Sequence, residues 1–211
     1  MFTPLSRSMV VGFLAASAAL AGCATTAPGT VLTAPHSRPA VTATGRATAP
    51  VHVLTLDVSG VDSRLGWSTP VGGKGQLTRL FATSADLAMW QNAMTAQTTA
   101  ALQSAGFVAE TAPQRFAGDA PVSQARFGLA GKVTRLAAHH TGSGNGGHTS
   151  AEVAVLWEVY DAKSQKVVLT TTTESAAATA GKSLDAVPLA FRGALSELLA
   201  DERLVAAMAT P

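Results

Sequence analysis

One stretch of this chain has little choice of conformation. From residue 151 to 160, Val153, Val155, Trp157 and Val159 alternate with Ala154, Leu156, Glu158 and Tyr160. Successive side chains of a strand point to opposite faces, so this is a strand with one buried face that carries a tryptophan. Residues 161–166 read as a turn, and residues 167–173 return as the hairpin partner. Upstream, residues 127–138 read as a further strand whose apolar parity slips between Val133 and Leu136, which predicts a bulge. The three strands make a meander, with the polar, Gly-rich segment 141–150 joining the first two.

Other elements follow from periodicity and caps. Residues 51–58 alternate, with His52, Leu54, Leu56 and Val58 on one face of an opening strand. Residues 60–75 are Gly-rich, carry Trp67 and read as a loop. Thr83 with Asp86 three residues on predicts a capping-box start for a helix. Its apolar stripe of Leu87, Trp90, Met94, Ala101, Leu102 and Ala105 is diluted by Thr and Gln and ends at Gly106. Phe107 and Val108 begin a short strand that Pro113 ends, and Val187, Phe191, Ala194, Leu195 and Leu198 form an amphipathic helix with Asp185 in its first turn. Leu204, Val205 and Met208 extend that helix or form a short one of their own. The expected architecture is α+β: a mixed or antiparallel sheet with a three-strand meander and two helices packed on it, in the order β-α-β-β-β-β-α. Residues 51–211 suffice for a single domain with a real core.

The amino-terminal part has a different logic. Residues 1–8 carry one charge, Arg7, and lead into an apolar run over 9–20. That layout is a secretion signal over 1–22, and the run is well short of the roughly 20 residues needed to span a bilayer. Leu20-Ala21-Gly22-Cys23 resembles the lipobox of bacterial lipoproteins, which implies cleavage before Cys23 and acyl chains on it. Cys23 is also the only cysteine, so no intramolecular disulfide is open to it in an oxidising compartment. Residues 24–50 are almost entirely Ala, Thr, Pro and Gly, a composition that cannot offset the entropy of ordering. The expectation for 23–50 is a lipidated, disordered tether spanning roughly 30 Å as a coil and roughly 80 Å when extended. Ala24 in place of an aspartate points to the outer membrane, periplasm-facing.

Charge and motifs exclude more than they assign. Without Arg7 the chain has 14 basic and 13 acidic side chains, which gives no electrostatic case for nucleic acid. Residues 176–183 fit a relaxed phosphate-loop pattern, but alanines stand where glycine amides would wrap phosphate. His140 and His148 could face each other across a symmetric hairpin, with Glu152 beside His148, as candidate metal ligands; the adjacent His139 would point the opposite way. No serine or cysteine nucleophile with a positioned base is patterned here, so neither a catalytic residue nor a cofactor is expected. The acids Glu152, Glu158, Asp201 and Glu202 are expected to face water, Trp157 to be core, and Trp67, beside Arg64 and Lys74, to be a partner contact.

Several blocks carry a family resemblance: the opening strand over 51–58, the helix end Leu102-Gln103-Ser104-Ala105-Gly106-Phe107-Val108, and the run from Val155 to Asp161 with Lys166-Val167-Val168. With the carboxy-terminal helix, these resemble envelope lipoproteins of the TolB amino-terminal, curli-secretion and ABC-transport auxiliary group. Residues 155–173 and 190–199 are also similar to a domain found ahead of exported trypsin-like proteases. The first resemblance implies a non-catalytic accessory that binds another envelope protein in a transport, assembly or cell-wall machine. The alternative is an envelope hydrolase or metal-binding protein built on the loop from His139 to His148.

Overall fold

A computed structural model describes residues 32–33, 49–70, 78–112, 125–142, 146–181 and 184–208. Cys23, the lipobox, Lys74, Pro113, Lys182, Ser183 and nearly all of the tether lie outside them. Within the tether, Leu32–Thr33 (β1) is a two-residue strand paired antiparallel with Ala177 and Ala178.

The meander forms as expected and dominates the molecule. Phe127–Thr141 (β6), His148–Asp161 (β7) and Lys166–Ala180 (β8) pair antiparallel along their whole lengths, a ribbon of roughly 50 Å at about 3.4 Å per residue. The register shift predicted from parity falls between Val133 and Arg135. Along the far edge of β6 two shorter strands follow one another, both parallel to it: Val51–Val53 (β2) beside residues 127–129, and Arg64–Thr69 (β3) beside residues 138–141. Thr78–Phe81 (β4) pairs antiparallel with β3, and Ala109–Thr111 (β5) pairs parallel with β2. The result is one mixed sheet with three helices, Ser84–Ser104 (α1), Ala186–Leu199 (α2) and Glu202–Met208 (α3), so it is α+β.

Two expectations are corrected. The opening strand is only three residues long, and its core face holds Val51 and Val53. Leu54 stands 43% exposed, while Leu56 is buried again after the chain steps out of pairing and rejoins β6 at the Asp57–Lys132 bridge. That step breaks the period of two on which the shared face depended. The segment 60–75 also contains strand β3, whose short apolar pattern is masked by the bulge between Arg64 and Gly66.

The helices cover one face of the ribbon. The indole of Trp157, fully buried, meets the Phe191 ring with centroids 6.0 Å apart, and its Nε1–H donates to Thr173 Oγ1 at 2.8 Å. Complete burial of a large apolar side chain is worth about 1.5–3 kcal/mol. Thr83 caps α1: its Oγ1 accepts from the Asp86 amide, and its own amide donates to the Asp86 carboxylate. At the other end, the amides of Gly106 and Phe107 donate to the carbonyls of Gln103 and Leu102, with Gly106 at φ 92°. That is a Schellman closure, which requires the left-handed conformation glycine adopts freely. The threonines diluting the α1 stripe are buried with it, because Thr95, Thr98 and Thr99 donate back to helix carbonyls.

Candidate functional site

The face of the ribbon away from the helices is open. Its outward residues are small or polar, among them Ala137 on β6, Ser150 and Glu152 on β7, and Glu174 and Ala176 on β8. Two adjacent depressions of about 240 and 270 Å³ share the Arg135–Glu152 pair, in which the guanidinium donates to the carboxylate at 2.5 Å. One runs on to Glu174 and Ala176, the other to Trp67 and His139. Enclosed small-molecule sites are typically 300–1,000 Å³ and bury most of their ligand, whereas these are shallow and open.

Trp67 lies on β3, opposite Arg79 on one side and His139 on the other. It is 44% exposed, and the Arg79 guanidinium lies 5.0 Å from its ring centroid. His139 Nε2 is 3.3 Å from Thr69 Oγ1, within reach of a weak hydrogen bond. The sequence pointed to Trp67 but not to Arg79 or Arg135. Cross-strand partners become visible only once both strands of a hairpin are recognised, and here both lay within or next to the Gly-rich stretch.

The candidate metal ligands are not brought together. β6 and β7 pair Thr141 with His148 and His140 with Thr149, one residue away from the symmetric register. A slip of one residue sends side chains to opposite faces. His140 is accordingly buried, its Nδ1 3.0 Å from Thr149 Oγ1, while His148 is exposed on the open face. Glu152 is held by Arg135. Among the described residues no group of three or more His, Cys, Asp or Glu is placed to hold a metal ion.

Several other charged groups are tied into structure. Burial pushes the Asp161 carboxyl up, but hydrogen bonds from Arg126, the Lys163 amide and Ser164 outweigh it and hold the pKa below the ordinary value of 3.8. Asp201, expected to face water, accepts from the amide and guanidinium of Arg203, while Arg203 also donates to Thr171 on β8. Its carboxyl is lowered chiefly by that Arg203 side chain. Sequence reasoning also missed the contact between His52 Nε2 and Glu110 Oε1 at 2.5 Å, which joins β2 to β5. Residues 176–180 of the phosphate-loop lookalike belong to β8, with Ala177 buried. A paired strand cannot wrap a phosphate.

No protein-family model matches the chain, and no curated protein matches it. Solved structures similar to it include protein XCC0632 from Xanthomonas campestris, with a TM-score of 0.44 at 15% identity over 81% of this chain and 91% of that one. The PelC dodecamer from Paraburkholderia phytofirmans gives 0.38 at 18% identity over 87% and 99%. Lipoprotein GNA1162 from Neisseria meningitidis gives 0.39 at 12% identity over 72% and 99%. Likenesses this distant carry neither an activity nor a partner to this chain.

Proposed function

We propose that this chain is a non-catalytic accessory lipoprotein of the bacterial envelope. It is anchored by acyl chains on Cys23, at the outer membrane facing the periplasm, and works by presenting its domain to another envelope protein of a transport, assembly or cell-wall machine. The observation that carries the contact reading is the open face of the β6–β8 ribbon. Helices cover one side of that ribbon, and the other presents a shallow, mixed-charge surface around Arg135, Glu152 and Glu174 with small residues between. Ala137 and Ala176 keep the face low, so a partner can approach the strands closely. Arg135, Glu152 and Glu174 there supply directional contacts, and charges so arranged steer a partner of complementary potential and fix its register.

The anchor reading rests on the lipobox and the lone Cys23. One acyl chain holds a protein to a membrane only marginally and several hold it stably, so the anchor would confine the domain to encounters near the bilayer. The test is a detergent-solubilised pulldown of the tagged chain after crosslinking. A discrete heteromeric product that Ala176→Arg diminishes is expected. Recovery only as a lone monomer would overturn the reading.

A further inference from the structure

We infer that the outer face of the β3–β4 hairpin rests on an anionic bilayer surface, with Trp67 and Phe81 at headgroup level and Arg64 and Arg79 against phosphates. The inference builds on the reading that the chain is membrane-anchored, and adds how the domain meets that membrane. Trp67 and Arg79 are opposite each other, as are Arg64 and Phe81, and all four belong to the outward side of a hairpin at the sheet edge. Trp67 is 44% exposed and Phe81 56%, while Leu65 and Leu80 between them are buried, so the aromatic exposure is confined to one side. Tryptophan settles at membrane interfaces, where its apolar body is covered and its indole N–H stays wet, and Phe81 adds apolar area beside it.

Charge points the same way. Neither Arg64 nor Arg79 has a carboxylate partner among the described residues. Glu152, on the neighbouring part of the face, is neutralised by Arg135, and the Asp62 carboxylate accepts the Arg64 backbone amide rather than its guanidinium. Stacking on Trp67 holds the Arg79 guanidinium in place while its N–H groups remain free to bind phosphate oxygens, a geometry that suits arginine. Trp and Arg also mark protein hot spots, but those sit in well-packed pockets. Here Phe81 projects from an edge hairpin, and Trp67 stands half-exposed at the end of an open depression whose remaining walls lie on β6 and β7.

The molecule carries its own probe. Of three tryptophans, Trp90 and Trp157 are buried, so the response of indole fluorescence to quenchers reports Trp67. The acylated full chain is reconstituted into vesicles of phosphatidylglycerol and phosphatidylethanolamine, or of phosphatidylcholine alone. In the anionic vesicles, shielding from aqueous iodide and quenching by brominated acyl chains are expected. The combined Arg64→Ser and Arg79→Ser variant should weaken that association by about fivefold per guanidinium lost. Trp67 equally open to iodide in both vesicle types overturns the inference. So does shielding that appears only in native envelope membranes, which would assign the face to a protein. Mass spectrometry of the reconstituted chain tests acylation of Cys23 separately, so failure of the anchor and failure of the hairpin contact are told apart.

Discussion

Gly131 sits on β6 directly under Trp157, and replacing it by alanine probes how the core is packed. An added Cβ would stand 2.8 Å from Trp157 Cζ3, 3.0 Å from Cε3 and 3.2 Å from Leu56 Cγ. The indole has nowhere to go. Its Nε1–H is held by Thr173, its ring rests against Phe191, and it is fully buried. Overpacking of this kind costs about 1–3 kcal/mol, and disturbing the indole hydrogen bond adds about 1. The smaller unfolded-state entropy of alanine returns about 0.4–1 kcal/mol. The net loss is about 2 kcal/mol, a fall in Tm of roughly 4–8 °C for a domain of this size. Urea or thermal denaturation followed by circular dichroism measures it. A double-mutant cycle supplies the decisive comparison. Trp157→Leu alone should cost about 3 kcal/mol, and adding Gly131→Ala to it should cost almost nothing further, because the clashing ring is gone. Additivity within about 0.5 kcal/mol would refute the steric reasoning.

Other predictions rest on separate contacts. An added Cβ at Gly193 on α2 would meet Ser175 Oγ at 2.0 Å and Cβ at 2.8 Å, so Gly193→Ala should destabilise despite its better helix propensity, and Ser175→Gly should restore stability. Thr83→Ala removes the α1 cap and should cost about 1 kcal/mol in the same denaturation assay. The carboxyls of Asp57, Asp86, Asp161 and Asp201 are all held below the ordinary 3.8, so the stability they contribute is present above that pH and lost as pH falls from there through their lower folded values. A steep decline in Tm below about pH 4, made shallower by Asp161→Asn, is expected in a pH-dependent melting series. Cys23→Ala should abolish acyl labelling and leave uncleaved precursor on a gel; normal maturation of that variant would count against the anchor.

What the sequence revealed and what it hid have physical causes. The meander and α2 were legible because each buries one face along its full length, which imprints a regular period on residues such as Val153, Val155 and Trp157 or Phe191, Leu195 and Leu198. The bulge near Val133 was legible for the same reason, as a slip in an otherwise regular pattern. Strand β3 was hidden because the bulge breaks alternation within six residues, while the glycines around it read as loop. The opening strand was overextended because Leu54 is apolar but exposed. The histidine pairing failed on register, since the bulge between Val133 and Arg135 shifts the pairing of β6 with β7 by one residue from there to the tip. Trp67 could be singled out as an aromatic in a polar stretch, but Arg79 becomes its neighbour only through the hairpin.

Crosslinking in living cells interrogates the open face of the ribbon itself. A photo-reactive p-benzoylphenylalanine at Glu152, Glu174 or Ala176 in the full chain, with Met89 on the exposed side of α1 as the control position, reports what that face touches. Discrete adducts of one defined mass from the three sheet positions and none from Met89 are predicted. Adducts absent from all three, or equally abundant at Met89, would contradict the proposal that this domain acts by presenting that face to a partner.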